Sequence, residues 1–148
     1  MTKYPTKEKI LKKRPSISKQ TLEFVKDWKS LTIKNWKNLS NWEKILRIDI
    51  LIKFIIRLEA NEEIEVRMGP CYAYDPTTKI IYQDINNPSI ISALHETAHY
   101  LLGKSELKAC RWSVWIFKEV FPIQYKKLEW KGHQLIKTPM KSQSTRAP

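Results

Sequence analysis

Within Ser92–Glu106, read SALHETAHYLLGKSE, stand two of the chain's three histidines, four residues apart, with a glutamate directly after the first: His95-Glu96-Thr97-Ala98-His99. A spacing of four puts both imidazoles one turn apart on one side of a helix. Two rings so placed can reach a single Zn²⁺ at about 2.0–2.1 Å. Glu96 then lies angularly next to His99, where an activated water would sit. The chemistry this pattern predicts is metal-assisted hydrolysis, with Glu96 as general base. The competing reading is the polar face of an ordinary amphipathic helix. Against it, the apolar residues Ile90, Ile91, Leu94, Ala98, Leu101 and Leu102 occupy a separate arc from His95, Glu96 and His99.

A catalytic zinc takes three protein ligands and leaves a position open, so a third ligand is needed. Gly103 can end the helix in a left-handed conformation, and Ser105 can cap a second helix running from Glu106 to Phe121, before Pro122. On that helix Lys108, Arg111, Lys118 and Glu119 share a polar face, whereas Glu106 projects with Ala109, Cys110, Ser113, Phe117 and Val120 on the inward one. A carboxylate turned inward demands a partner, and a metal is a natural one. Glu106 is therefore the leading third ligand; the alternative is a solvated first-turn acid favoured by the helix dipole. His133, in WKGHQLIK, competes for the same role. Two histidines and a carboxylate with open positions are also the ligand set of non-haem Fe(II) oxygenases, so Zn²⁺ is expected and Fe²⁺ remains open. Tyr100, Tyr125 and His133 are candidate oxyanion donors, with nothing in the sequence to choose among them.

These residues need a scaffold, and the sequence predicts an α+β one. Leu22, Val25 and Trp28 recur at helical spacing between Ser18 and Leu31, and a longer helix, apolar nearly all round, runs from an Asn41 cap to about Leu58. Such a helix needs cover on two sides, so it is expected to pack between the first helix and the rest of the domain, or to make an oligomer contact. Ile64, Val66 and Met68 then alternate with charged residues as a half-buried strand ending at Gly69-Pro70. CYAYD and KIIYQD form a hairpin about Pro76-Thr77-Thr78, and Ser89 caps the histidine helix. Helices, three strands and further helices make one domain over 16–137, divided into a helical part (16–60), a metal-site core (61–122) and a C-terminal segment (123–137). Residues 1–15 and 138–148 read as loose tails.

The 148 residues, 42% hydrophobic, suffice for one core. Apolar runs are broken by charges, so no membrane span is expected, and the N-terminus lacks the apolar region of a secretory signal; a cytoplasmic protein is expected. Cys71 and Cys110 are too few for a disulfide framework and read as buried thiols. The net charge of +12 favours an anionic partner surface, and its lysine excess suits weak nonspecific phosphate contact better than base reading. A lysine-rich soluble surface with no such partner is the plainer alternative. Trp28, Trp36 and Trp42 among lysines admit a third class, a noncatalytic nucleic-acid-binding module whose metal is structural. At helical spacing, however, tryptophans are more often core.

SALHETAHYLLG followed by ELKACRWSVWIFKEVFP resembles the ImmA/IrrE-type metallopeptidases, small gluzincins in which HExxH is followed by a glutamate helix of the form ExxAxxFA ending near a proline. Glu106, Ala109 and Pro122 match, with Trp112 in place of Phe and Ser113 in place of the second Ala. The resemblance spans roughly 64–122. It implies a zincin-like fold with a small sheet flanking the site helices, His95, His99 and Glu106 as zinc ligands, and Glu96 as base. It also implies a protein substrate such as a DNA-bound helix-turn-helix repressor, in a phage or bacterial setting. The connection between the two helices is shorter than that family's, and the tryptophan-rich N-terminal helices have no counterpart in it. A weaker likeness joins SALHExxH, with its following aromatic and glycine, to the elongation factor P hydroxylases, which modify a lysine side chain. The aromatic-rich run that follows in that family is missing after Gly103.

Overall fold

A computed structural model describes residues 4–132 and 134–137, folded as an α+β unit. Helix α2 (Lys19–Thr32) starts at Ser18, whose hydroxyl accepts the Thr21 N–H. The cap of helix α3 (Asn41–Ala60) lies one residue before the expected Asn41: Ser40 and Glu43 form a reciprocal capping box, and Asn41 is the first helical residue. The two helices lie against each other, with Phe24 stacked on Phe54 at 4.5 Å and the Trp28 indole N–H donating to the Arg47 carbonyl. One side of α3 buries Ile45, Ile48, Leu51, Ile52, Ile55 and Ile56. As expected, α3 is covered on two sides, by α2 and by the rest of the domain, while Trp42, Leu46, Ile50 and Phe54 on its outer side stay exposed.

The sheet contains β1 (Glu65–Gly69), β2 (Ala73–Asp75) and β3 (Ile80–Asp84) in the order β1-β3-β2. The β2–β3 hairpin is antiparallel as expected, while β1 lies on the far side of β3 and parallel to it. The central strand carries the buried residues Ile80, Ile81 and Gln83, as a strand covered on both sides should. On β1 the alternation holds through Ile64 and Val66 but fails at Met68, which is exposed at the sheet edge. At Gly69 a Cβ would come within 3.2 Å of the Tyr82 side chain, which would have to shift by a few tenths of an ångström to admit it.

Gln83 ties the sheet to the helices. Its amide donates to the Ile45 carbonyl of α3, and its oxygen accepts the Tyr72 hydroxyl; that hydroxyl in turn accepts the Ser89 N–H at 2.9 Å. Ser89 is the N-cap of α4 (Ile90–Leu102), so one polar chain anchors the histidine helix to the sheet. Helix α5 (Glu106–Val120) begins at the Ser105 cap and packs back against α4 as the expected hairpin. Pro122 does more than stop it, since it opens the short helix α6 (Pro122–Lys127), which leads into the hairpin β4 (Leu128–Lys131) and β5 (Gln134–Lys137).

The largest departure from expectation lies at the N-terminus. Residues 1–15 read as a tail, yet Lys7–Lys12 form helix α1 with Ile10 fully buried beside Cys110, Val114 and Leu135. The Arg111 guanidinium donates twice to the Lys9 carbonyl, the Trp115 indole donates to the Ile10 carbonyl, and Arg14 pairs with Glu119. Cys110 is buried as expected, but Cys71 is exposed, because Gly69-Pro70 ends the strand before it can turn inward. Of the tryptophans, Trp28 is core, Trp36 is half-buried with its ring edge against Trp28, and Trp42 is exposed. The tail expected over 138–148 lies outside the described residues. No helix among those described is long and apolar enough to cross a membrane.

Candidate metal centre

The α4–α5 hairpin brings three of the sequence-predicted residues to one point. Helix α4 buries Ala93, Leu94, Thr97 and Ala98, which leaves the arc of His95 and His99 facing the start of α5. Leu102, expected on the apolar face, is exposed in the last turn, where the chain leaves for α5. At the Ser105 cap the second helix begins with Glu106, whose carboxylate meets both imidazoles. Glu106 Oε1 stands 2.5 Å from His99 Nε2 and 3.3 Å from His95 Nε2, and the two Nε2 atoms are 3.2 Å apart. Ligands at about 2.0–2.1 Å from a tetrahedral ion are separated by about 3.3–3.4 Å. Two of the three separations match this, and the third requires the Glu106 carboxylate to move outward by less than an ångström. Two imidazole nitrogens and one carboxylate oxygen, all within 4.8 Å of one another, therefore fit a divalent ion of the Zn²⁺ or Fe²⁺ type. The side chains are 22%, 15% and 27% exposed (His95, His99, Glu106), so the centre is sheltered yet open to solvent on one side.

The rings are oriented from behind. His99 Nδ1 lies 2.8 Å from the Gly103 carbonyl; donation to that oxygen fixes the tautomer that leaves Nε2 available. His95 Nδ1 lies 3.9 Å from Cys110 Sγ, one turn beyond Glu106 on α5. This contact is on the side of the ring away from Nε2, so Cys110 orients His95 and is not a fourth ligand. Burial, with Glu106 and Glu96 adding, pushes the Cys110 thiol up to about 12. The imidazoles meet edge to face at 85°, both nitrogens converging on the carboxylate. Neither orienting contact was foreseen from the sequence, although Gly103 follows His99 by four residues, and Cys110 follows Glu106 by four, one helical turn in each case.

Glu96 stands apart from this triad. The Tyr74 backbone of β2 favours the charged form of the Glu96 carboxylate. Burial raises its pKa to about 7, with Glu106 adding to the rise and His99 and the Tyr74 backbone opposing it. Glu96 and His95 line a cleft of about 190 Å³ whose other walls include Tyr72, Ser92, Ser113 and Gln134. Of the oxyanion candidates, Tyr100 donates its hydroxyl to Glu62, and Tyr125 lies beneath the Lys118 ammonium. Neither lines this cleft. His133, the competing third ligand and remaining oxyanion candidate, lies outside the described residues. No family model matches the chain, and neither the curated proteins nor the solved structures provide a significant match to it.

Proposed function

We propose that the protein is a metal-dependent peptidase of zincin-like build, taking Zn²⁺ at His95, His99 and Glu106 and cleaving a peptide bond in a protein substrate. One observation carries this reading: a two-histidine, one-carboxylate cluster with a second carboxylate, Glu96, held beside it but outside the ligand set. When bound, the metal supplies a Lewis acid that polarises the scissile carbonyl and acidifies water. Glu96 is the proton carrier, accepting the water proton at its carboxylate and delivering it to the leaving amine. The Gly103 carbonyl and Cys110 sulfur hold the imidazoles in register. The cleft beside Glu96 is smaller than the ~300–1,000 Å³ typical of pockets that enclose a whole small molecule. Its volume suits one substrate side chain, which favours a peptide passing over the site. The resemblance to ImmA/IrrE-type enzymes points the same way, and a basic protein of net charge +12 is suited to approach a DNA-bound repressor.

The test is to incubate parent and Glu96→Gln, each loaded with Zn²⁺ or Fe²⁺, with host lysate and search for new peptide termini by mass spectrometry. The expected outcome is zinc-dependent termini with the parent and a loss of at least ~10²-fold in the variant, the lower range for general acid–base catalysis. Equal cleavage by both would remove Glu96 from its role. Oxygen-dependent hydroxylation with iron, and no new termini, would make the protein a hydroxylase. No chemistry with either metal, together with unchanged partner binding, would leave a binding module with a structural metal.

A further inference from the structure

The apolar face of α3 has no role in the metal centre, and it is not scattered. Trp42, Leu46, Ile50 and Phe54 recur every four residues and are 49%, 46%, 55% and 48% exposed. At about 150–250 Å² for a whole large apolar side chain, this is on the order of 400 Å² of apolar surface along one line of the helix. That is within the range of the largest patch a monomer leaves bare, and a charged rim extends it toward the ~800 Å² per partner of a standard interface.

The charges bordering the face indicate what covers it. At 100° per residue, Glu43 and Arg57 lie within about 20° of Ile50, and Leu46 and Phe54 within about 40°. Both pairs are symmetric in sequence about Ile50. A two-fold axis at Ile50, running α3 antiparallel to the same helix of a second copy, therefore sets Glu43 against the partner copy's Arg57 and Leu46 against its Phe54. Asp49 and Lys53 lie on one flank and form an i,i+4 ion pair at 3.1 Å; the same axis brings the two pairs together as a ring of four alternating charges. Of the helix's other charges, Lys44 and Glu59 lie more than about 100° from Ile50, and Arg47 lies on the other flank, where α2 packs and the Arg47 carbonyl accepts the Trp28 indole. The chain is +12, yet this face is balanced, with Glu43 and Asp49 against Lys53 and Arg57.

We propose that this face is the interface of an isologous dimer, an antiparallel α3–α3 contact centred on Ile50. The inference does not depend on the metal site. The test is sedimentation equilibrium of the full chain across the micromolar range. The parent is expected to reach twice 17.6 kDa. Ile50→Lys sets two cations at the axis and should raise the dissociation constant at least ~30-fold, as loss of a central interface residue does. Asp49→Lys should also weaken the dimer, and adding Lys53→Asp should restore it by recreating both the intrahelical pair and the four-charge ring. Unchanged melting temperature and metal content in the variants separate loss of association from loss of fold. A parent that stays monomeric throughout, or a dimer indifferent to Ile50→Lys, overturns the proposal. So does a monomer that floats with vesicles containing anionic lipid, which would assign the face to a membrane surface.

Discussion

If Glu106 is the third ligand, Glu106→Ala converts a three-ligand site into a two-ligand one, and the effect on metal-linked stability can be worked out. At a free metal concentration one hundred times the dissociation constant, binding stabilises the native state by about 2.7 kcal/mol. For a domain of this size about 2–4 °C of melting temperature accompanies each kcal/mol, so the parent should gain about 5–11 °C on adding Zn²⁺. Loss of an outer partner of a ligand alone costs ~10–100-fold in affinity. Deleting the carboxylate, 2.5 and 3.3 Å from the two ring nitrogens, should cost at least the upper figure. The same metal concentration is then at most equal to the dissociation constant, and the gain falls to about 0.4 kcal/mol, or ~1–2 °C. Thermal melts with and without zinc, beside metal content by mass spectrometry, read both quantities. Glu62→Ala serves as control, removing a carboxylate that accepts the Tyr100 hydroxyl outside the triad and should leave the zinc gain intact. An undiminished gain in Glu106→Ala would refute the assignment and return the role of third ligand to His133.

Further expectations concern the scaffold and the surface. Ile10→Ala should cost about 2–5 kcal/mol, the range for truncating a fully buried aliphatic, and a melt within error of the parent would show that α1 is not part of the folded unit. Ser40→Ala removes half of the α3 capping box and should cost ~1 kcal/mol by denaturant titration, whereas an unchanged midpoint would deny the cap its role. Nucleic acid should bind weakly and without sequence preference, with affinity falling steeply between low and physiological salt; tight, salt-resistant and sequence-selective binding would favour the binding-module reading.

The parts of this protein that were legible in its sequence are those whose cause is local. His95, Glu96 and His99 share a helix, so their common side follows from periodicity alone. Ser89 and Ser105 announce their helices because a serine hydroxyl satisfies an N–H three residues ahead. Glu106 was reachable because a single turn separates the two helices. Helix α1 was not, since its sequence is mostly lysine with one buried isoleucine, and what holds it is Arg111, Trp115 and Val114, about a hundred residues away. The parallel seating of β1 beside β3 is non-local in the same way. Alternation in β1 indicates that one side is covered, but not which neighbour covers it or that Met68 ends at the edge. On α3 the pattern was read correctly as too apolar for one contact, since α2 and α4 both pack on it, yet a pattern cannot say what meets the residues that those two helices leave exposed.

The connection between α4 and α5 links backbone conformation to the metal centre and permits a last prediction. Gly103 adopts φ 91° and ψ −162°, a region open essentially to glycine alone. A Cβ there would meet no atom within 4 Å, so the penalty for Gly103→Ala is conformational and not steric crowding by neighbours. That penalty is about 1–3 kcal/mol, or ~2–12 °C of melting temperature at this chain length. The chain can relieve it only by rotating the peptide whose carbonyl accepts from His99 Nδ1 at 2.8 Å, and this rotation would release the ring that points Nε2 at Glu106. Stability and metal affinity should therefore fall together, the second by the ~10–100-fold typical of losing a ligand's outer hydrogen bond. Melts of the metal-free protein read the first term and zinc titration against a chromophoric chelator reads the second. A variant that loses stability but binds zinc as the parent does would show that Gly103 serves the turn alone, and that His99 keeps its orientation without that carbonyl.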